Sequence, residues 1–291
     1  MAIAIITACV SCSGSKKTSG SDKGKWQQTP VVVDGKSDEW PAPYPFYDYK
    51  SHLAYAVSND DDNLYLSIEI GDQATMGKLL KGGLAVYLDA TGGKATEMAI
   101  MYPMPGNNNG GMNWKQDSKG TTSNDDRQAA MQQNRTARLL EAVTDAHGIQ
   151  LVGLRGNCNG IVEVRQKNKC DIESAMDIDS YGSLIWEMKI PFKTFLKDKL
   201  VKADAGKVIS VCFATTGLKR PATPGGGEGM GNGMGSGMGG GMGGGMRGGG
   251  GGMRGGGMRS GGGGNRNENS DREYLFQSTR TWVNVPLAYQ K

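Results

Sequence analysis

Hydrophobic and polar side chains alternate along residues 183–192. A period of two sends successive side chains to opposite faces of a β-strand. One set of alternate positions in this stretch is apolar throughout: Leu184, Trp186, Met188, Ile190 and Phe192. The pattern predicts a half-buried strand in which Trp186 lies in the core and Glu187 and Lys189 face water. Pro191 is expected to end the strand, because proline cannot donate a hydrogen bond to a neighbouring strand.

Similar short runs of alternating or β-branched residues recur along the chain and predict further strands. A leading strand is expected at 31–33, directly before an Asp-Gly turn. Hairpin strands are predicted at 53–57, 64–70, 84–88 and 97–102. Later strands are predicted at 137–143, 149–154, 161–166, 172–178, 208–215, 274–276 and 281–285. Many short strands with little helix are typical of an all-β antiparallel sandwich, with layers like those of immunoglobulin or jelly-roll folds.

Two long insertions interrupt this series of strands. Residues 103–136 are polar and rich in turn-forming residues, with a short helix expected over 125–134. Residues 224–270 are rich in glycine and carry a methionine at every fourth position from Met230 to Met246. Glycine loses the most backbone entropy on ordering and buries almost nothing, so this tract is expected to be a disordered loop. The predicted sandwich therefore occupies residues 31–289.

The N-terminal residues form a short apolar run that ends immediately before Cys9. The sequence Ile6-Thr-Ala-Cys9 is similar to a bacterial lipobox, in which a signal peptidase cuts before a cysteine that then carries lipid. Cys12 is the alternative lipidation site. Residues 1–30 are therefore expected to be a signal sequence and a flexible tether, in a protein anchored by lipid in the bacterial cell envelope and facing the periplasm or the outer membrane. The alternative is a buried N-terminal strand.

Charge and cysteine content narrow the choice of partners and compartment. The 33 basic and 29 acidic residues give a formal net charge of +4. This balance does not suggest a nucleic-acid partner, which would require a clustered basic face. In an exported protein Cys158 and Cys170 could form a disulfide, but a strand between them would hold them about 25 Å apart. Unless that strand folds back, both are expected to be free thiols, and Cys212 is expected in the core.

Four short motifs make the chain resemble the carbohydrate-binding-module family 9-like, or DOMON-like, β-sandwich domains. They lie, in chain order, at Val33-Asp-Gly-Lys-Ser-Asp-Glu-Trp40, Asp61-Asp-Asn-Leu-Tyr-Leu66, Gly83-Leu-Ala-Val-Tyr-Leu-Asp89 and Trp186-Glu-Met-Lys-Ile-Pro-Phe192. The resemblance runs from about Val31 to Tyr289, apart from the insertions. It implies a sandwich with a concave face or loop rim that holds sugar, and in some relatives haem.

Catalytic chemistry has little support in this sequence. The histidines, His52 and His147, lie in no nucleophile-elbow, triad or His-Glu-x-x-His pattern. The acidic run 60–62 lacks the alternating ligands and the glycine bend of a calcium loop. Haem would need paired axial ligands, for which the sequence gives no pattern. We therefore expect a non-catalytic protein with no metal site and no cofactor.

Sugar binding by a sandwich usually relies on an exposed aromatic ring that stacks on a pyranose, with amides and carboxylates bound to the hydroxyl groups. Trp114 lies in the polar insertion beside Asn113, an environment that suits this chemistry. Tyr102 is a further candidate ligand residue, and Tyr47 and Trp40 are weaker candidates. The alternative is that Trp114 pins its loop to the sandwich and contacts no ligand.

These observations favour an exported, lipid-anchored, non-catalytic module that binds a glycan or another cell-envelope polymer. One alternative is a structural or interaction lipoprotein without a sugar site. Another is the handling of Cu(I) by the methionines of the 224–270 tract, because thioethers are soft ligands.

Overall fold

The computed structural model describes residues 25–104, 124–164, 166–220 and 273–290. One compact unit comprises Met1–Leu218 and Tyr274–Lys291, and a second comprises Lys219–Glu273. The second unit is described only at its ends, where Arg220 and Glu273 form an ion pair.

The first unit contains short strands and two kinds of helix. The strands are β1 (Phe46–Asp48), β2 (Leu53–Asn59), β3 (Asn63–Ile70), β4 (Leu84–Asp89), β5 (Ala99–Tyr102), β6 (Gly148–Val152), β7 (Gly160–Glu163), β8 (Glu173–Ile178), β9 (Leu184–Pro191), β10 (Val208–Thr215) and β11 (Thr279–Pro286). The α-helices are α1 (Gln73–Gly82) and α2 (Asn124–Thr144). Short 3-10 helices occupy Phe192–Thr194, Lys202–Asp204 and Glu273–Phe276. The first residue of the last helix, Glu273, belongs to the second unit.

The strands form two antiparallel sheets whose inner faces share one hydrophobic core. Within the described residues, the five-stranded sheet has the order β1-β2-β3-β9-β8 and the six-stranded sheet the order β11-β10-β4-β5-β6-β7. Trp186 is 2% exposed, and its indole N–H donates to Ser174 Oγ at 2.7 Å. The predicted all-β sandwich and the core position of Trp186 are confirmed.

The two predicted hairpins are present, because β2 pairs with β3 and β4 pairs with β5. β9 ends at Pro191, as the sequence indicated. β1 was not expected from the sequence; it pairs with β2 and forms one edge of the five-stranded sheet.

The expectation that Glu187 faces water is wrong. Its side chain points away from the core of the sandwich, yet Glu187 is 0% exposed. Residues 31–44 cross this outer face of the five-stranded sheet and cover it with a second apolar cluster, which includes Val31 and Trp40. Lys189, two residues further along the strand, keeps its side chain 26% exposed in an ion pair with Glu173.

The buried Glu187 carboxylate holds the covering segment in place. Its Oε2 atom accepts hydrogen bonds from the backbone N–H groups of Gly35 at 2.9 Å and Asp34 at 3.1 Å. Its Oε1 atom accepts a hydrogen bond from the Trp40 indole N–H at 2.6 Å. Burial raises the pKa of Glu187 although these donors oppose the shift. The first and last motifs of the family resemblance are therefore in direct contact.

The strand predicted at 31–33 is also wrong, since these residues adopt no strand pairing. They lead into the turn at Gly35, which has a φ of 85°. A Cβ atom at Gly35 would lie 2.7 Å from the backbone nitrogen of Asp177 on β8. The position therefore requires glycine for both its backbone conformation and its close approach to the sheet.

Two further predicted strands are helical. Residues 137–143 belong to α2, which extends well beyond the helix expected over 125–134, and residues 274–276 belong to a 3-10 helix. Leu139 and Val143 lie four residues apart on one helical face, and both are buried in the core.

α1 was not expected at all. Its N-terminus is capped by Asp72, which accepts hydrogen bonds from the backbone N–H groups of Ala74 at 3.1 Å and Thr75 at 2.9 Å.

The expectation of free thiols at Cys158 and Cys170 is wrong, because the two cysteines form a disulfide with their Cα atoms 5.6 Å apart. β7 is shorter than expected and the chain then folds back on itself. Asn168 fixes this return, since its Oδ1 accepts a hydrogen bond from the Cys170 N–H at 3.1 Å and its Nδ2 donates to the Ile172 carbonyl at 2.7 Å. The distance estimate failed because it assumed an extended chain between the cysteines.

The chain leaves the first unit after Leu218 and re-enters it at Tyr274, and local hydrogen bonds fix both points. The Leu218 N–H donates to the Leu275 carbonyl at 2.9 Å. Lys78 of α1, which is 1% exposed, donates to the carbonyls of Tyr274 at 3.1 Å and Gln277 at 2.8 Å. Burial lowers the pKa of this lysine.

Candidate functional site

Several predicted functional residues lie outside the described residues. These are the ligand candidates Trp114 and Asn113, the lipidation candidates Cys9 and Cys12, and the methionines of the 224–270 tract. Their roles stay predictions.

Tyr102 lies in the core of the sandwich. It is 2% exposed, its ring centroid is 6.0 Å from that of Trp186, and its hydroxyl donates to the Ala146 carbonyl at 3.0 Å. The Trp40 ring is likewise buried, at 6% exposure. Neither ring offers a face on which a sugar could stack. Partly exposed aromatic rings lie instead on an outer sheet surface.

The outer surfaces of the two sheets differ in what covers them. Residues 31–44 cover the five-stranded sheet, and the row of residues beneath them is buried: Ala56, Ser67, Glu187 and Ala175. The six-stranded sheet presents partly exposed side chains on its outer surface instead. We call this second surface the aromatic face; it comprises Trp282, Tyr87, Arg280, Met101 and Gln150, together with the residues between them.

Strand register defines the aromatic face. Val211 and Phe213 of β10 point into the core, so Cys212 and Ala214 between them point outwards. Paired residues on adjacent strands share a face. One outward row therefore runs Trp282, Cys212, Tyr87, Ala99 and Val152. The next row runs Arg280, Ala214, Ala85, Met101, Gln150 and Ile161.

The two rings of the aromatic face stand on either side of a buried thiol. Trp282 and Tyr87 are both partly exposed, whereas Cys212 between them is 0% exposed. Burial raises the pKa of the Cys212 thiol to about 11, so it stays protonated and unreactive near neutral pH. The sequence correctly indicated a buried Cys212, but its side chain lies under the aromatic face and not in the central core. The rings around it leave an apolar, partly exposed platform.

Polar groups surround this platform. The guanidinium carbon of Arg280 lies 5.7 Å from the centroid of the Tyr87 ring, so its side chain reaches across β10. Asn284 is exposed at the end of β11 and accepts a hydrogen bond from Ser210 Oγ at 3.1 Å. Gln150 is partly exposed on β6.

The sequence contained a signal for the aromatic face. The alternation that places Leu84, Val86 and Leu88 in the core also places Tyr87 on the opposite side of β4. The same logic applies to Trp282 on β11. This alternation alone does not identify a binding site, because outward-facing residues of a sandwich are ordinarily solvated. The local sequence also does not show which outer surface another segment will cover.

A smaller group of exposed tyrosines lies at the β1 edge of the five-stranded sheet. Tyr47 and Tyr49 are 47% and 84% exposed, with ring centroids 4.9 Å apart. Desolvation and the nearby Asp72 carboxylate raise the pKa of Tyr47. Asp72 itself is engaged by the helix N-terminus and by the Tyr274 hydroxyl, which donates to it at 2.6 Å. The carboxylate nearest to this pair is therefore already engaged, which makes the pair a weaker site.

A shallow pocket of about 370 Å³ on the outer side of the five-stranded sheet is lined by charged residues. Lys189 pairs there with Glu173 at 2.7 Å, and Lys193 with Asp171 at 2.5 Å. These groups already satisfy one another and leave the pocket without an aromatic platform.

Among the described residues, no group of three or more His, Cys, Asp or Glu side chains is arranged to hold a metal ion. In the same part of the chain, no helix combines the length and apolar character needed to cross a bilayer.

Comparison with known proteins gives a likeness of fold. No protein-family model matches the sequence, and no curated protein matches it either. A solved structure of a carbohydrate-binding module of family 9 from Caldicellulosiruptor kristjanssonii, in complex with glucose, is similar over 66% of this chain and 76% of that chain. The sequence identity is 8% and the TM-score is 0.31. The likeness is a weak resemblance of fold and identifies no ligand residue in this chain.

Proposed function

We propose that this chain is an exported, non-catalytic binding module whose aromatic face binds a glycan of the cell envelope or its surroundings. The observation that carries the proposal is the partly exposed pair Trp282 and Tyr87 on an outer sheet surface, with Arg280, Gln150 and Asn284 around it. Aromatic rings stack on the apolar faces of pyranoses, and amide and guanidinium groups bind their hydroxyl groups.

The shape of the site suits an extended polymer. Adjacent strands lie about 4.8 Å apart, so a row that crosses several strands offers contacts at regular intervals along a chain-like ligand. The apolar members of the two rows, Met101, Val152 and Ile161, continue the surface beyond Tyr87. Val152 and Ile161 are 38% and 62% exposed. Exposed apolar residues grouped on one sheet surface are typical of an interaction surface.

Export and lipid anchoring belong to the proposal as well. The disulfide between Cys158 and Cys170 supports an oxidising compartment outside the cytosol. The lipobox-like sequence before Cys9 supports attachment to a membrane through lipid, with Cys12 as the alternative. Mass spectrometry of the mature N-terminus tests this part directly, since an unmodified Met1 would contradict it.

Glycan-array binding by the full chain tests the ligand class. We expect Trp282→Ala to weaken binding by about 30-fold or more, because central aromatic residues of an interface contribute about 2 kcal/mol or more. Tyr49→Ala is the matched control, since it removes an exposed ring that belongs to neither row of the aromatic face and should leave binding unchanged. Trp114→Ala tests the site predicted in the polar insertion.

Three outcomes decide the proposal. Loss of binding in Trp282→Ala but not in Tyr49→Ala supports the aromatic face. Loss in Trp114→Ala alone places the site in the insertion and overturns the proposed face. A silent array with a chain that unfolds cooperatively on heating removes the glycan proposal and leaves a structural or interaction protein.

A further inference from the structure

Arg280 has no ionic partner in the described part of the chain. It is exposed on β11, and its guanidinium carbon lies 5.7 Å from the centroid of the Tyr87 ring. Arg280 is also the one cation among the outward positions of the described six-stranded sheet. An arginine held over an aromatic ring without a carboxylate beside it is ready to accept an anion from outside.

The acidic residues of the same surface do not neutralise it. Asp89 is 3% exposed and serves its own turn, where it accepts hydrogen bonds from Thr91 N–H at 2.8 Å and Ala95 N–H at 2.9 Å. Glu163 lies on β7, at the far edge of the sheet from β11. The end of the face that carries Trp282 is therefore positively charged.

The position of the guanidinium favours a planar anion. A guanidinium can lie flat against a ring, and its N–H groups then point outwards in its own plane. That arrangement suits bidentate recognition of a carboxylate or a sulfate. Trp282 is two residues from Arg280 on the same face, which places their backbones about 6 to 7 Å apart. One sugar ring could therefore stack on Trp282 while its acidic group reaches Arg280.

We propose that the ligand is an anionic glycan whose carboxylate or sulfate group binds Arg280. This inference rests on the proposed function, because it names the class of glycan for the same face. Specificity comes from charge: the rings bind acidic and neutral sugars alike, and Arg280 separates the two.

Calorimetric titration of the full chain with matched ligands tests the inference. One pair is trigalacturonate and its methyl ester, which differ in charge but hardly in size. A second pair is a sulfated carrageenan oligosaccharide and its desulfated counterpart, which separates sulfate from carboxylate as the source of charge. The variants are Arg280→Gln, Arg280→Lys and Trp282→Ala, and the native fold of each is checked by thermal unfolding.

We expect Arg280→Gln to weaken binding of the acidic member of a pair by about 10- to 100-fold, the range for a hydrogen bond to a charged group. Binding of its neutral counterpart should change far less, because the glutamine amide can still bind a hydroxyl group. Arg280→Lys keeps the charge but loses the planar fork, so its loss should be intermediate. Trp282→Ala should weaken both members.

The failures are distinguishable. Equal losses for acidic and neutral ligands in Arg280→Gln would mean that Arg280 only braces Tyr87, and would overturn the inference. Tighter binding of the neutral ligands by the unmodified chain would also overturn it and leave the proposed function standing. If no ligand of either pair binds and the glycan array is silent, the proposed function itself fails.

Discussion

Glu187 shows how one side chain can tie together distant parts of a chain. The carboxylate accepts three hydrogen bonds from a segment about 150 residues earlier in the sequence, and none of its surface is exposed. A buried carboxylate is costly unless donors surround it, and here two backbone groups and one indole supply them. The outer layer of residues 31–44 thus depends on one acid.

Glu187→Gln should lower the free energy of unfolding by about 1 to 3 kcal/mol, because the amide NH₂ group must face one of the three donors. Urea denaturation followed by tryptophan fluorescence measures the loss. Glu173→Gln is the matched control on the neighbouring strand. Its side chain is 52% exposed in a surface ion pair, so its effect should be about 0.5 kcal/mol or less.

The same variant should show a defined pH dependence. Burial raises the pKa of Glu187 above 4.5, so the folded chain binds this proton more tightly than the unfolded chain does. The stabilisation from Glu187 is therefore fullest below about pH 4.5 and is lost as the pH rises through the higher folded value. The stability gap between the unmodified chain and Glu187→Gln should narrow from acid to neutral pH, and a gap that widens would contradict the burial effect.

The elements differ in how far the sequence could predict them. The β2–β3 and β4–β5 hairpins were predictable because their alternation is a local property. The C-terminal part of α2 resembles a strand in the sequence because it contains a short apolar run, Leu139, Leu140, Ala142 and Val143. Periodicity alone does not show whether such a run is a strand or a buried part of a helix. α1 was missed because its stability comes from its cap and from packing against the core.

Asp72 is the cap on which α1 depends. It accepts hydrogen bonds from two backbone N–H groups of the first turn and from the Tyr274 hydroxyl. Although burial alone would raise it, hydrogen bonds from Thr75 and Tyr274 lower the pKa of Asp72. We expect Asp72→Ala to destabilise the chain by about 1 to 2 kcal/mol. Thermal unfolding measures this loss, and Asp72→Asn should recover part of it because asparagine also caps helices.

The disulfide stabilises the return from β7 to β8. Its cysteines are 12 residues apart in the sequence. For a loop of this length, chain entropy predicts a loss of about 3 kcal/mol when Cys158 and Cys170 are both replaced by serine. Denaturation midpoints of the two proteins give the difference, and peptide mapping without reductant should recover the linked pair. A chain with free thiols at both positions after export would contradict the bridge.

At the scale of the whole molecule, the sandwich is asymmetric. One outer surface is closed by residues 31–44, while the other carries Trp282, Tyr87 and Arg280 in a partly exposed state. Sequence alternation indicates which residues point outwards from each sheet, but not which outer surface a remote segment will cover. That choice depends on contacts such as the one between Gly35 and Glu187. The fold class could therefore be predicted and the candidate site could not.

The contact between Gly35 and Glu187 also defines a signature for finding related chains. A side chain at Gly35 would collide with β8, and a residue without an acceptor at 187 would leave the turn and the indole unpaired. Each position is constrained by its own contacts, so the glycine at 35 and the acid at 187 should be retained together across homologues although 152 residues separate them. The linked glycine and acid should therefore be a more selective search pattern than either motif by itself.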